Sequence, residues 1–451
     1  MGSRMPGLRH LVSIDDLSLD EIKKLFVHAR AFGEDLRASA ELCRGMIAAS
    51  LFFEPSTRTR LSFESAMLRL GGGVITAADM RNLSASKGES LADTVRVVSG
   101  AYADIIVLRH SSEGAARLAS QYASVPVINA GDGAHEHPTQ TLCDLYNLWL
   151  ERGRIEGLDV VLAGDLRYSR TIHSFAYALA RFGANVVCVP APGFEMPDYV
   201  LQRLREEFGV EPQRADAKSL GDLASQSDAV YLTPQKPHQL SLFTDARGFA
   251  VARVDALYMT RPQTERHPSG AQLENYVQLG KRQLAAESLR DAVVMHPLPR
   301  RDELSEEIDS DPRSIYFKQA ARGVPIRMAI LASLLGRLAV LEREPVVTAR
   351  LYPVQTGPNP CANPTCISRT EARHVVPQYK VSSRLPLRVH CGFCSHEVAL
   401  HLVGCSTTRH WHEPDSSELR KVRPDHLVFL ADAAEAERLG FVAATRERSP
   451  A

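Results

Sequence analysis

The stretch "MIAASLFFEPSTRTRLSFESAMLRLGGG", Met46 to Gly73, decides the fold class. Its opening apolar run, Met46 to Phe53, reads as a buried strand. Further on, Phe63, Ala66, Met67 and Leu70 mark one face of a helix closed by Gly71 to Gly73. A strand that turns straight into a helix leaves free backbone N–H groups at the helix start, where the macrodipole adds partial positive charge. At that turn stand the hydroxyls of Ser56, Thr57 and Thr59 and the guanidinium of Arg58, a fork that can hold two anion oxygens at once. On these residues alone two readings stay open: Ser56 caps the helix, or the turn cradles a phosphate.

The same alternation runs outward along the chain. Ser18 and Glu21 form a capping-box pair ahead of Leu19, Ile22, Leu25, Phe26 and Ala29 at helical spacing. The runs "ADIIVLR", "VPVINAG", "LDVVLAGD", "ANVVCVPAP", "SDAVYLT", "VDALYMT" and "DAVVMHPLP" alternate with helix-like stretches such as Leu201 to Phe208. This predicts an α/β protein with two doubly wound parallel-sheet domains, ligands lying beyond the carboxyl ends of the strands. The segment 151–163 reads as the boundary between a domain at 1–150 and one at 151–319. An apolar helix, Pro325 to Leu341 within about 320–342, completes the first, and proline-rich 343–358 reads as a linker. A near-repeat, "SDAVYLTPQKP" and "VDALYMTRPQTER", reads as two similar strands, one of them part of an insertion.

Composition bounds the function. The 451 residues are 44% hydrophobic and 24% charged, enough for two to four domains at roughly 150 residues each. Lys plus Arg (53) equals Asp plus Glu (53), so no global field draws the chain to nucleic acid or an anionic membrane. The N-terminus lacks a signal-peptide core, and no run approaches the ~18–20 apolar residues of a membrane span; a cytoplasmic protein is expected.

Chemistry-bearing residues gather at the strand ends. Lys87 precedes Gly88 in "SASKGESLADTV" and reads either as a solvated lysine or as a mobile charge. Arg109 ends "DIIVLR". In "NAGDGAHEHPTQ", His135 and His137 suggest either a metal pair or a donor loop with Gln140. Arg167 and Arg170 follow another strand, Arg261 and Gln263 follow "YMT", and "MHPLPRRDE" follows the last. Several arginines from separate loops suit a dianionic or dicarboxylate ligand.

In this order, "STRTR", "HPTQ", "RPQTER" and "HPLPR" make residues 8–340 resemble the catalytic chain of the aspartate carbamoyltransferases; the ornithine enzymes carry cysteine where this chain has Pro297. The resemblance implies that carbamoyl phosphate and L-aspartate yield N-carbamoyl-L-aspartate and phosphate, a step of pyrimidine biosynthesis. It implies that Ser56, Thr57, Arg58 and Thr59 bind phosphate, with Arg109 bridging phosphate and carbonyl oxygen. Arg58, Thr59, Arg109 and His137 form the catalytic set, the last three at the carbonyl oxygen, while Gln140, Leu298 and Pro299 contact the carbamoyl group. Arg170, Arg261 and Gln263 hold the aspartate carboxylates. Lys87 and Ser84, or Ser86 in its place, reach a neighbouring subunit's site, which implies a homotrimer or a trimer-based assembly with shared sites. No cofactor is expected for the chemical step. The segment from Asp228 to about Arg253 looks like extra sequence.

Of eight cysteines, five crowd into residues 361–405. "CANPTC" and "CGFC" give two thiolate pairs, Cys361 with Cys366 and Cys391 with Cys394, a strong signal for one structural zinc per chain, against a redox reading of the CxxC. This block, 359–405, resembles the zinc domain of the regulatory chain of the same enzymes, fused here without the nucleotide-binding domain that precedes it there; no familiar effector site is expected, and the zinc domain is expected to bridge or brace catalytic subunits. Cys405 reads as an ordinary thiol. The extension 406–451 faintly resembles a metal-binding module of alkylation-repair proteins but lacks its cysteines, leaving His410 and His412 as surface residues. Two other functions remain in view: a carbamoyltransferase for another amine, and a non-catalytic assembly or nucleic-acid-binding partner. Arg170, Arg261 and Gln263 argue against the first. The full set of phosphate ligands, and no basic helix after the knuckles, argue against the second.

Overall fold

A computed structural model describes residues 8–78, 88–216, 219–233, 255–261, 278–286, 289–342, 350–354 and 359–444. The first lobe runs α1 (Leu19–Glu34), β1 (Ile47–Phe52), α2 (Thr57–Arg69), β2 (Gly73–Ala78), α3 (Leu91–Val97), β3 (Ile105–His110), α4 (Ala115–Tyr122), β4 (Val127–Asp132) and α5 (Pro138–Arg152). Its four strands are parallel in the order β2-β1-β3-β4. Every residue of β3 and β4 is buried, as strands covered on both faces require.

The second lobe runs β5 (Asp159–Gly164), α6 (Arg170–Arg181), β6 (Asn185–Pro190), α7 (Asp198–Phe208), β7 (Gln213–Arg214), α8 (Leu220–Ser225), β8 (Ala229–Thr233), β9 (Ala256–Met259), α9 (Lys281–Leu284) and β10 (Val293–Met295). Its six strands are parallel in the order β10-β9-β8-β5-β6-β7. The chain then returns through α10 (Tyr316–Leu334), which packs on α1, α2 and α5. One core unites Phe26, Phe63, Leu145, Leu162 and Ile330.

Strand order fixes where a ligand can sit. In an open parallel sheet the binding crevice lies where adjacent strands send their connections opposite ways. That point falls between β1 and β3 in the first lobe, which sets the Ser56–Thr59 turn beside Arg109. In the second it falls between β5 and β8.

Two expectations need correction. Residues 228–233 are not extra sequence: β8 pairs along its length with β5 and β9, and Tyr231 stacks on Tyr258 with ring centres 4.3 Å apart. The near-repeat is two neighbouring core strands, similar because both are buried in one sheet; residues 234–254 lie outside the described residues. The closing helix starts at Tyr316 rather than Pro325 and ends at Leu334; Pro325 lies inside it. The missing proline N–H is outweighed by tertiary burial of Ile326, Met328, Ala329, Ile330 and Leu331.

The tail forms two small sheets. β11 (Tyr352–Pro353), β12 (Gln378–Arg384) and β13 (Leu387–Cys391) make one, with α11 (Ile367–Thr370) beside it. β14 (Leu402–Cys405), β15 (His410–His412), β16 (Leu427–Leu430) and β17 (Val442–Ala443) make the other, followed in part by α12 (Ala433–Arg438). This second sheet starts before residue 406, so Cys405, buried and unpaired, belongs to it. His410 is exposed and His412 partly so. Val403, Leu427 and Phe429 pack on Tyr379, Leu387 and Val389, which joins the two sheets.

The four-cysteine unit docks on its own chain. Glu113 N–H donates to the Thr365 carbonyl at 2.9 Å, and its carboxylate accepts from Thr365 Oγ1 and Asn363 Nδ2, each at 2.9 Å. Gly114, at φ 81°, lies so close that an added Cβ would fall 2.5 Å from Phe393 Cβ. Lys380 Nζ reaches Glu207 of α7 at 2.9 Å. The contacts described join the tail to both lobes of its own chain.

Candidate active site and metal centre

A cavity of about 880 Å³ opens where the two lobes meet. Its lining includes Ser56, Thr57, Arg58, Thr59, Arg109, His137, Gln140, Arg261, Leu298 and Pro299, drawn from five separate stretches of chain. Four arginines (Arg58, Arg109, Arg261 and Arg327) and one carboxylate, Glu54, line it, which gives the cavity an excess of positive charge.

Ser56 occupies the N-cap position of α2 but makes no side-chain cap hydrogen bond. The first-turn N–H groups are thus left without a side-chain acceptor from Ser56. Thr57 and Arg58 are exposed beside it and Thr59 is buried. Although Arg58 is exposed by surface area, partial desolvation of its guanidinium at the cavity mouth, and then the charge of Arg261, lower its pKa; like charges from the two lobes converge here.

Arg109 arrives on the end of β3, its guanidinium fixed by Ala130 O at 3.1 Å and by Glu54 Oε1 at 2.6 Å. Its buried Nε has no partner among the described residues. His137 stands at the N-cap of α5, where Nδ1 accepts from the Gln140 N–H at 3.3 Å. In the neutral ring the proton then sits on Nε2, which makes that nitrogen a donor. His135 instead turns to Asp132 at 3.3 Å and Glu136 at 3.9 Å, so the two histidines do not share a metal.

The last loop is held by a buried pair. His296 Nε2 meets Glu303 Oε1 at 2.9 Å, and its Nδ1 accepts from Leu298 N–H at 2.8 Å. Burial lowers the pKa of His296 against the pull of Glu303, and only a neutral ring can accept at Nδ1. This anchorage holds Leu298 at φ 51°, a conformation that a non-glycine residue adopts at a cost. Sequence reasoning missed His296, Glu303, Glu54, Arg327 and Gln319. Glu54 lies inside the quoted stretch, yet its partner is 55 residues away. Arg170 is the first residue of α6, with its side chain outside the described part; Ser84, Ser86, Lys87 and Gln263 also lie outside the described residues. Arg167 is exposed near the ring of Tyr168.

A larger cavity, about 1000 Å³, lies between α7 and the tail. Its charges pair among themselves, Arg203 and Lys380 with Glu207 and Arg203 with Asp15, so it presents no comparable excess of one sign.

Cys361, Cys366, Cys391 and Cys394 are all buried, and their sulfurs lie within 4.8 Å of one another. Cys361 to Cys394 is 3.6 Å and Cys366 to Cys391 is 3.7 Å. Disulfides would need ~2.0 Å. Four sulfurs at ~2.3 Å from one tetrahedral ion lie roughly 3.8 Å apart, so the geometry fits a metal.

Comparison with known proteins converges on the same regions. Residues 9–149 match the family model for the carbamoyl-P binding domain of aspartate/ornithine carbamoyltransferase, and residues 225–334 match its Asp/Orn binding domain. Residues 359–401 match the metal binding domain of the aspartate carbamoyltransferase regulatory chain. The aspartate carbamoyltransferase catalytic subunit of Thermoplasma acidophilum is 42% identical over 332 residues, 73% of this chain and 98% of that one. That of Thermococcus kodakarensis is 44% identical over 339 residues, covering 74% and 98%. Among solved structures, the catalytic subunit of M. jannaschii aspartate transcarbamoylase superposes with a TM-score of 0.59 at 41% identity, covering 73% of this chain and 98% of that one. The Trypanosoma cruzi enzyme in complex with carbamoyl phosphate and aspartate gives 0.58 at 33% identity, covering 73% and 96%.

Proposed function

The chain belongs to the aspartate carbamoyltransferase family, and on that premise we propose that its interlobe cavity transfers the carbamoyl group of carbamoyl phosphate to the amino group of L-aspartate. The observation that carries this reading is the convergence of four arginines on an uncapped helix start beside His137 and Gln140. Phosphate binds the free N–H groups of α2 and the side chains of Ser56, Thr57, Arg58 and Thr59. Arg109, already oriented by Glu54 and Ala130, supplies its fork to phosphate and carbonyl oxygen.

The neutral aspartate nitrogen attacks the carbamoyl carbon, forming a C–N bond while the carbonyl oxygen becomes an oxyanion. Arg109, Thr59 and the Nε2–H of His137 stabilise that oxygen; a preorganised donor of this kind contributes ~2.7–4 kcal/mol. The intermediate collapses as the C–O bond to phosphorus breaks. The leaving phosphate takes the proton from nitrogen, so no protein base is assigned. Gln140 and the Leu298–Pro299 loop hold the carbamoyl amino group. Arg170, Arg261 and Gln263 hold the two carboxylates of aspartate, and holding both substrates in reacting geometry contributes ~7–11 kcal/mol.

Zn²⁺ fits the four thiolates best, soft sulfur in a tetrahedron, and supplies a structural crosslink there. The active assembly is a homotrimer or a multiple of one, with Lys87 and either Ser84 or Ser86 reaching a neighbour's cavity. Leu61 and Leu68 of α2 and Ile75 of the edge strand β2 support this, as exposed apolar side chains on one lobe. Eight free cysteines fit a reducing, cytoplasmic setting. No helix among the described residues is long and apolar enough to cross a membrane.

The test is phosphate release from carbamoyl phosphate by the full-length, zinc-loaded protein, with aspartate and separately with ornithine. Release that depends on aspartate supports the assignment; release with ornithine alone would overturn the acceptor.

A further inference from the structure

Asp144 lies one turn beyond Gln140 on α5 and is 1% exposed. A single oxygen, Oδ1, accepts three hydrogen bonds: from Gln140 Nε2 at 2.8 Å, Tyr258 Oη at 2.8 Å and Gln319 Nε2 at 3.3 Å. The donors come from α5, from β9 of the second lobe and from α10. Oδ2 is buried with no hydrogen-bond partner among the described residues.

An oxygen that accepts from three donors is not the one carrying a proton. Any proton on this carboxyl belongs to Oδ2, so Oδ1 is an acceptor whether Asp144 is ionised or neutral. Burial pushes Asp144 up to about 7, against the pull of Tyr258, Gln140, Gln319 and the charge of Arg327, so both states are populated near neutrality. In either state the atom that Gln140 turns toward Asp144 must be its NH₂. The carbonyl oxygen of Gln140, a residue that lines the cavity, is then the atom left for a ligand.

We propose that Asp144 is a positioning residue that sets acyl-group specificity: by locking the amide of Gln140 in one orientation, it makes Gln140 an acceptor that selects an acyl phosphate bearing an NH₂ donor over one bearing a methyl group. The inference rests on the carbamoyl phosphate reading above. Carbamoyl and acetyl phosphate have nearly the same shape and charge, so the phosphate cradle cannot separate them. A site that reads an N–H through a buried acceptor can. Tyr258 precedes Arg261 by three residues, so the same oxygen also ties the carbamoyl reader to the strand that delivers the aspartate arginine.

The experiment compares KM for carbamoyl phosphate with the inhibition constant of acetyl phosphate in wild type, Asp144→Asn, Asp144→Ala and Asp144→Leu. Asn keeps an acceptor oxygen at the Oδ1 position and is expected to stay within about threefold of wild type on both ligands. Ala or Leu frees the Gln140 amide to turn; KM for carbamoyl phosphate is expected to rise about 10- to 100-fold while acetyl phosphate binding changes by less than about threefold. Leu fills the volume that Ala empties, and circular dichroism selects whichever folds. Equal loss on both ligands would reduce Asp144 to a structural residue and overturn the inference, as would an Asn variant that loses discrimination. A wild-type enzyme inactive on carbamoyl phosphate would instead remove the premise and this inference with it.

Discussion

Thr57 and Arg58 stand exposed at the start of α2, whereas Cys361, Cys366, Cys391 and Cys394 are each at most 3% exposed. Both groups are built to hold a charged guest. The turn proposed to cradle phosphate leaves its helix start uncapped, forgoing about 1 kcal/mol of cap stability, and brings Arg58 toward the like charge of Arg261. The thiolates sit inside an apolar cluster with Ile367, Val375, Phe393 and side chains of the first lobe such as Leu91 and Ala115. A site that must bind and release keeps unsatisfied donors at a crevice, and a site that must keep its guest is sealed. Loss of the first is therefore a loss of activity, and loss of the second a loss of structure.

The largest effect is expected at the sealed site. Cys366→Ser, or removal of metal by a strong chelator under reducing conditions, takes away a crosslink whose binding free energy is ~10–16 kcal/mol in small zinc modules. Metal content per chain, circular dichroism and proteolysis should report unfolding of residues 359–444; a folded tail without metal would break the contrast. The cradle should behave oppositely. Arg58→Ala is expected to lower kcat/KM for carbamoyl phosphate about 10³-fold or more, with no fall in Tm, because the substitution removes a charge that faces Arg261. A fall of more than a few degrees would show Arg58 to be structural.

A smaller effect falls between the two sites, at Asp144. Its pKa is raised from an unfolded value near 4 to about 7 by burial, among Arg327, Tyr258, Tyr231 and Cys143. Because the folded state holds a proton that the unfolded state gives up, wild-type stability is fully present below about pH 4 and is lost as pH rises through about 7. Asp144→Asn lacks this titration. Its stability relative to wild type should rise by about 2–4 kcal/mol between pH 4 and 7 and then level off, as urea unfolding at several pH values would register. No difference across that window would place the carboxyl in a more polar setting.

The residues legible from sequence are those whose chemistry is contiguous. The Ser56–Thr59 turn, the "HPTQ" loop and the paired cysteines each announce themselves within six residues. Ser56 shows the limit: as a sequence feature it is equally a cap, and only the absence of a cap hydrogen bond assigns it to the cavity. The pairs Glu54–Arg109, His296–Glu303 and Asp144–Tyr258 have no such signature, because single carboxylates read as solvated until burial shows otherwise. Residues 228–233 read as extra sequence for a related reason: nothing local shows that they and the next strand pair side by side in one buried sheet.

The alternation of buried strands and helices, the gathering of arginines and hydroxyls at the strand ends and the thiolate set are written in the sequence, since each follows from residue types at short spacing. Tertiary structure alone decided that β1 meets β3 at a switch point, that arginines from both lobes share one cavity and that Glu113 receives the tail of its own chain. These depend on contacts across 50 to 250 residues, where local propensity carries no information and only the packing of the whole chain selects a partner.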